Sequence, residues 1–328
     1  MHNIRQDLSH RSPTDPSPVT SVLVYIVCGG RRTGTTLLSA ILSSDERANP
    51  LGQEAQVLTR IVEAYRWGRE NFEQFGQSFF GDPKTYRAFF AKIAARFAQE
   101  VSARISPGGV LVLKNPELSK VLLDVADLFP NARFLALVRD PRDQIASELE
   151  VKARQLAASA RNPDSKTRNM DSLANQYAAY YPAPSRLEVW ARRLVASIRD
   201  LVNKRRNIID LARYYISYYP EILELGKQQP ERINIIRYED LVLRPDETLL
   251  DLQAATGLDL TFDPAKPWSR ISPLARLHST PSRSDLYGAP IDSRSVGRFR
   301  RDLSAEQAVA VEKFCADFMD KFDYQRSI

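Results

Sequence analysis

An apolar, β-branched run, Val22 to Val27, leads through Cys28 into Gly29-Gly30-Arg31-Arg32-Thr33-Gly34-Thr35-Thr36, and LLSAILSS follows with helical character. Successive apolar positions without polar alternation read as a strand buried on both faces. The segment is therefore strand, glycine-rich loop, helix. A doubly buried strand needs helices above and below it, which restricts the chain to an α/β fold around a parallel sheet. A loop at a helix start aims several backbone N–H groups and the positive helix end at one point, which suits a phosphate. Counted from Gly29, the spacing is that of the phosphate-binding pattern G-x4-G-K-[ST], except that Thr35 stands in place of the lysine. In ATP-using enzymes that lysine reaches the terminal phosphates, so its absence argues against ATP-driven chemistry. Arg31 and Arg32 carry positive charge into the loop instead.

Further strands are expected at Val110–Leu113, Phe134–Val138 and Arg232–Ile236. Helices are expected over 54–67, 84–104, Glu117–Leu128, from Pro141 onward, Asp246–Thr256 and Ser304–Asp320. Ser304 should cap the last helix, with Gln307 at the capping-box position. Strands alternating with helices predict a parallel α/β sheet covered on both faces, with ligands at one edge. Residues 1–20 are polar with three prolines and no apolar core, so they read as a flexible tail rather than a signal peptide. Residues 21–328 read as a single domain, with a helix-rich, tyrosine-rich insertion at about 151–230.

The 328 residues can bury a sizeable core, and 43% hydrophobic with 26% charged residues excludes a disordered chain. Two cysteines, Cys28 and Cys315, are too few for a disulfide framework or a zinc site, and they fit a reducing, cytoplasmic setting. No apolar run is long enough to span a membrane. The formal charge of +6 hints at an anionic partner. It is unevenly spread. Residues 151–215 hold thirteen Lys/Arg against five Asp/Glu, so the rest of the chain is slightly acidic.

Four more stretches follow strands or helices in order. These are Gly52-Gln53-Glu54; Leu113-Lys114-Asn115-Pro116; Arg139-Asp140-Pro141-Arg142-Asp143 with Ser147 beyond it; and Tyr238-Glu239-Asp240-Leu241 with Arg244-Pro245. Late in the chain come Ser282-Arg283-Ser284-Asp285 and Ser295-Val296-Gly297-Arg298-Phe299. Together with the first loop, these resemble the sulfotransferases that use 3′-phosphoadenosine 5′-phosphosulfate (PAPS), in the branch that includes tyrosylprotein and many bacterial sulfotransferases. The resemblance covers about 22–55, 109–151, 232–257 and 280–301. It implies a P-loop, nucleotide-kinase-like fold.

Carried onto this chain, the resemblance implies that Arg31, Arg32, Thr33, Gly34, Thr35 and Thr36 hold the 5′-phosphosulfate. Arg139 and Ser147 would hold the 3′-phosphate, Tyr238 would touch the nucleotide, and Arg298 with Ser284 would close over it. Lys114 and Arg32 would stabilise charge on the bridging oxygen, and Glu54 would be the base that takes the acceptor hydroxyl's proton. Gln53 departs from the branch's Gly-Glu-Glu, and Val151 stands where the branch has another arginine. PAPS is the donor this implies, with no metal. The expected partner is a hydroxyl-bearing acceptor, acidic or carried on an acidic partner, with no nucleic acid and no membrane span. Its identity and the oligomeric state are left open. So are two other readings: a P-loop phosphotransferase, and a non-catalytic nucleotide- or anion-binding protein. Paired tyrosines at 180/181, 214/215 and 218/219 either line a cleft or pack a helix.

Overall fold

Four strands, β1 (Leu23–Gly29), β2 (Val110–Lys114), β3 (Arg133–Val138) and β4 (Ile233–Arg237), form one parallel sheet in the order β2-β1-β3-β4. Each is within a residue or two of its expected position. The computed structural model describes residues 22–106, 108–161, 208–261, 263–268, 270–273, 275, 287 and 290–327. The N-terminal tail, most of the insertion, Tyr180, Tyr181 and Ser284 lie outside the described residues.

The apolar runs are continuous because alternate residues feed two different cores. Val24, Ile26, Cys28, Leu111, Leu113, Phe134, Ala136 and Val138 join one cluster. Tyr25, Val27, Val110, Val112, Leu135 and Leu137 join the other. Helices α1 (Thr35–Leu42) and Pro245–Thr256 cover the second face. Helices α2 (Gln56–Glu70), α4 (Pro83–Ile105) and α5 (Leu122–Leu128), with the Pro220–Gln228 helix, cover the first. Between α2 and α4 lie a π-helical turn, Phe72–Gly76, and the four-residue α3 (Gln77–Phe80).

Register places every strand end on one edge. Val27 pairs with Lys114, Gly29 with Leu137, and Val138 with Arg237. The chain leaves β1 toward β2 on one side and returns to β3 on the other, so the order reverses between β1 and β3. At such a point the two following connections diverge to opposite faces and open a crevice at the carboxyl ends of the strands. The glycine-rich loop follows β1, and the Arg139 loop follows β3.

Two expected helices differ in detail. The segment from Pro116 starts as a 3-10 turn, Pro116–Val121, capped by Asn115 through the Glu117 N–H, before α5 begins. The last helix divides at Cys315 into Ala305–Phe314 and Ala316–Lys321. Its start is as expected, because Ser304 and Gln307 form the reciprocal capping box. Both cysteines are buried and unpaired. No helix among the described residues is long and apolar enough to cross a membrane.

Candidate functional site

The glycine-rich loop is shaped by two left-handed residues, Arg32 (φ 64°) and Gly34 (φ 94°). Such reversals turn successive amides toward a common concavity. Gly34 also faces Tyr238, whose ring would lie 2.5 Å from an added Cβ, so only glycine fits there. Gly29 is similarly forced, with φ 127° and the Leu137 carbonyl oxygen 2.5 Å from where a Cβ would stand. Ser119 Oγ accepts from Gly29 N at 2.8 Å and donates to its carbonyl at 3.2 Å, fixing the strand end. Thr33 is fully buried and donates to Gly30 O at 2.6 Å. Helix α1 then begins at Thr35, its free N–H groups directed at the loop.

Lys114, at the last position of β2, meets this loop from one side. Its Nζ donates to Thr36 Oγ1 at 3.3 Å and pairs with Glu54 Oε1 at 3.1 Å. Ala55 N donates to Lys114 O, tying the segment that carries Glu54 to the strand end. Glu54, Lys114 and Thr36 are thus one cluster.

Arg139, just after β3, meets the loop from the other side and is 4% exposed. It donates from one terminal nitrogen to Arg32 O at 2.9 Å and from the other to Ser295 O at 2.6 Å. Its guanidinium lies over the Tyr238 ring, 4.3 Å from the centroid. The Tyr238 hydroxyl is 2.8 Å from Ser295 Oγ. Arg32 Nε reaches Ser147 Oγ at 3.4 Å. Arg139, Ser147 and Tyr238 are therefore brought together, and Arg32, expected beside Lys114, also meets Ser147 and Arg139. Arg139 Nε is buried and has no hydrogen-bond partner among the described residues. A buried guanidinium N–H left unpaired is costly, and an anion supplied there would satisfy it. The residues present therefore fit a phosphate at this corner.

Two expected residues stand apart. Arg298 is held by Glu150 and Asp302, both at 2.7 Å, and the Arg298 partnership helps keep Glu150 below the usual carboxylate range. Arg31 is exposed, with Tyr214 beside it. The second arginine of the Arg139 motif has a structural place. The sequence alone groups Arg142 with the charges around a polyanionic donor; the structure instead buries it among Asp140, Glu312 and the ring of Phe299.

Several supporting residues carried no sequence signal for this role. Asp143 accepts from Gly297 N at 2.6 Å and Phe299 N at 2.9 Å, anchoring the late loop. Burial pushes its carboxyl above its ordinary value, only partly offset by those amides. Glu239 accepts from Asp140 N at 2.9 Å and from the Tyr324 hydroxyl at 3.0 Å. Tyr215, Tyr218 and Tyr219 pack in the core, whereas Tyr214 is partly exposed. Tyr218 donates to Glu117 at 2.6 Å, and Lys120 sits 4.3 Å from the centroid of its ring. Tyrosines at helical spacing more often pack than line a cleft, and the packing arrangement holds for these three. Among the described residues, no group of three or more His, Cys, Asp or Glu side chains is placed to hold a metal ion.

Comparison with known proteins bears on what this crevice is. Protein-tyrosine sulfotransferase 1 of Mus musculus is 31% identical over 130 residues, 39% of this chain and 34% of that protein. The Drosophila melanogaster protein-tyrosine sulfotransferase is 32% identical over 126 residues, 38% of this chain and 24% of that protein. The matched region thus spans about a third or less of these relatives' length. Among solved structures, the sulfotransferase domain from the curacin biosynthetic pathway superposes with TM-score 0.52 at 17% identity, over 93% of this chain and 98% of that one. The sulfotransferase domain of the Synechococcus PCC 7002 olefin synthase gives 0.52 at 17% identity, over 95% and 97%. These likenesses establish the fold. The model of the sulfotransferase family matches residues 25–263, a span that runs from within β1 through the glycine-rich loop, Lys114 and the Arg139 loop to beyond β4, and by that match the chain belongs to the sulfotransferase family.

Proposed function

We propose that this protein transfers a sulfuryl group from PAPS to an acceptor hydroxyl. The observation that carries the reading is Arg139, pinned on the glycine-rich loop at the sheet's switch point with one buried N–H unpartnered. A donor with a single phosphate cluster would need only the first loop. A second anion-seeking arginine, with Ser147 beside it, fits a nucleotide that carries a separate 3′-phosphate. Family membership favours sulfuryl over phosphoryl transfer, as does Thr35 in place of the nucleotide-kinase lysine.

In this reading the loop amides and the Thr33, Thr35 and Thr36 segment hold the 5′-phosphosulfate at the start of α1. Arg139 and Ser147 hold the 3′-phosphate, and Tyr238 packs against the nucleotide. Ser284, which lies outside the described residues, and Arg298 belong to the late loop that covers it. Arg298 must exchange a carboxylate partner for a phosphate to take part. The donor supplies an activated sulfuryl group when bound. Glu54 takes the acceptor's proton as that oxygen bonds to sulfur and the bridging oxygen departs with the 5′-phosphate. Lys114 and Arg32 hold the negative charge gathering on that oxygen; their positions at a strand end and in a braced loop need little reorganisation. Glu54 and Lys114 are ion-paired at 3.1 Å, which keeps base and charge stabiliser within reach of one transferring group.

The relatives named protein-tyrosine sulfotransferases make a phenolic hydroxyl on a polypeptide the first acceptor class to try. Two buried free thiols fit a reducing, cytoplasmic setting. The reading is tested by titrating 3′,5′-adenosine bisphosphate and ATP, each with and without magnesium. The bisphosphate should bind more tightly, without a magnesium requirement, and tighter magnesium-dependent ATP binding would sink the proposal. Glu54→Gln should abolish turnover of PAPS while retaining bisphosphate affinity. Turnover at the wild-type rate would remove Glu54 from the base position.

A further inference from the structure

Tyr215 and Tyr219 are 0% and 1% exposed, and their hydroxyls lie 2.9 Å apart at i,i+4 spacing. Neither oxygen faces solvent. Both are directed at the backbone of the two phosphate-facing loops. Gly30 N, in the glycine-rich loop, donates to the Tyr219 oxygen at 3.3 Å. The Tyr219 hydroxyl donates to the Tyr215 oxygen, with Leu137 O a second acceptor at 3.2 Å. The Tyr215 hydroxyl donates to Arg139 O at 2.6 Å, and its oxygen accepts from Arg139 N at 3.2 Å. Read in order, the bonds run from the Gly30 amide through two phenols to the Arg139 carbonyl, each proton used in one direction. Such chains polarise one another and strengthen when buried.

The pair is also braced from behind. Phe318 packs on both rings at 5.5 and 4.7 Å between centroids, and the two tyrosine rings meet edge to face at 5.0 Å. A Cβ on Gly30 would stand 2.9 Å from the Tyr215 ring, so that position is glycine because the tyrosines occupy its space. Burial holds both phenols well above their ordinary value, which keeps each a donor. Ordinary core packing needs neither hydroxyl. Phenylalanine would fill the same volume without three loop partners.

We infer that Tyr215 and Tyr219 are positioning residues that set the distance between the two phosphate subsites, and so determine preference for a nucleotide phosphorylated at both 5′ and 3′ positions. The inference rests on the PAPS reading and adds what enforces its two-phosphate requirement. Arg139 meets the proposed 3′-phosphate through its side chain, while Tyr215 grips its backbone at both N–H and C=O. Loss of the relay frees the Arg139 loop to move relative to the first loop. The second phosphate then lands on a misplaced guanidinium.

The test compares dissociation constants of 3′,5′-adenosine bisphosphate and 5′-adenosine monophosphate by calorimetry. It uses the full chain and its Tyr215→Phe, Tyr219→Phe and Tyr218→Phe variants. In the wild type the bisphosphate should bind much more tightly. Tyr215→Phe and Tyr219→Phe should each lose about tenfold or more of that preference, the equivalent of one well-made hydrogen bond. Affinity for the monophosphate should change little. Tyr218→Phe, equally buried but bonded to Glu117, should keep the preference. A purely structural role would lower stability and weaken both nucleotides alike, and that outcome overturns the proposal. So does a wild-type preference kept in both variants, which leaves the PAPS reading standing. A wild type indifferent to the 3′-phosphate overturns both. Should either variant fail to fold, amide exchange in the wild type decides: the Gly30 and Arg139 amides must both be strongly protected without nucleotide. Exchange at loop rates rejects the relay.

Discussion

Arg139 and Arg142 stand three residues apart in one motif and have opposite fates. Arg142 is saturated by Asp140, Glu312 and the Gln325 carbonyl. Such a buried guanidinium is held by, and holds, carboxylates that could not stay buried without it. Arg139 bonds only carbonyls with its terminal nitrogens, and the carboxylates of Asp143 and Glu239 act on it without a direct hydrogen bond. The phosphate role proposed for Arg139 rests on that difference, whereas Arg142 has a structural place. Asp45 offers a residue-level prediction on stability. It accepts from Arg47 N and its guanidinium and from Asp259 N, and chiefly the Arg47 guanidinium lowers its carboxyl to about 2. A depressed acid stabilises the fold above its unfolded value, and that contribution is lost as pH falls toward the folded value. Asp45→Asn should therefore cost about 1–2 kcal/mol at pH 7, discounted for the exposed arginine. The gap from wild type should close between about pH 4 and 2 in denaturant titrations. A constant gap across that range would show that the carboxylate's charge is not what stabilises this corner.

At the scale of elements, strand positions were legible because four apolar runs without alternation have few other places to go. The loop after each strand was legible for a related reason. Glycines and an arginine at a strand-to-helix turn announce backbone geometry and charge together. Helix breaks were less so, since the 3-10 start at Pro116 and the division at Cys315 depend on packing that periodicity does not encode. The same holds for the C-terminal segment, which sequence patterning passes over. Tyr324 is 5% exposed, donates to Glu239, and lies under Arg237 at 4.6 Å. Gln325 and Ser327 bond Arg142 and Glu312 through their backbone. This short tail therefore closes the buried ionic cluster beneath the Arg139 loop. Ending the chain at Asp323 should cost about 3–5 kcal/mol, from the lost aromatic and the opened ion pairs. The check is urea unfolding of the truncated protein, where an unchanged midpoint would mean that the tail merely rests on the surface.

At the scale of the whole molecule, the charge is divided between two tasks. The body carries arginines and a lysine at the strand ends, while the stretch 151–215 holds all of the net positive charge. We propose that this stretch meets an acidic acceptor or its carrier. Arg192, Arg193, Arg205 and Arg206 lie outside the described residues, so the prediction is made from composition. Neutralising all four should weaken acceptor binding and flatten its salt dependence, with donor affinity unchanged. Unaltered salt dependence would leave the charge without that role. The sequence by itself determined the α/β class, the strand-end loops and most of the residues that converge on the crevice. Those features follow from local pattern: apolar continuity, glycine conformations, and charge at a turn. Only the tertiary structure decided that the strand order reverses between β1 and β3, that Arg139 rather than Arg142 has a buried N–H without a partner among the described residues, and that Tyr215 and Tyr219 join the two loops. Each depends on partners between 76 and 189 residues away, and hydrogen-bond partners across a fold are set by packing, which no local spacing records.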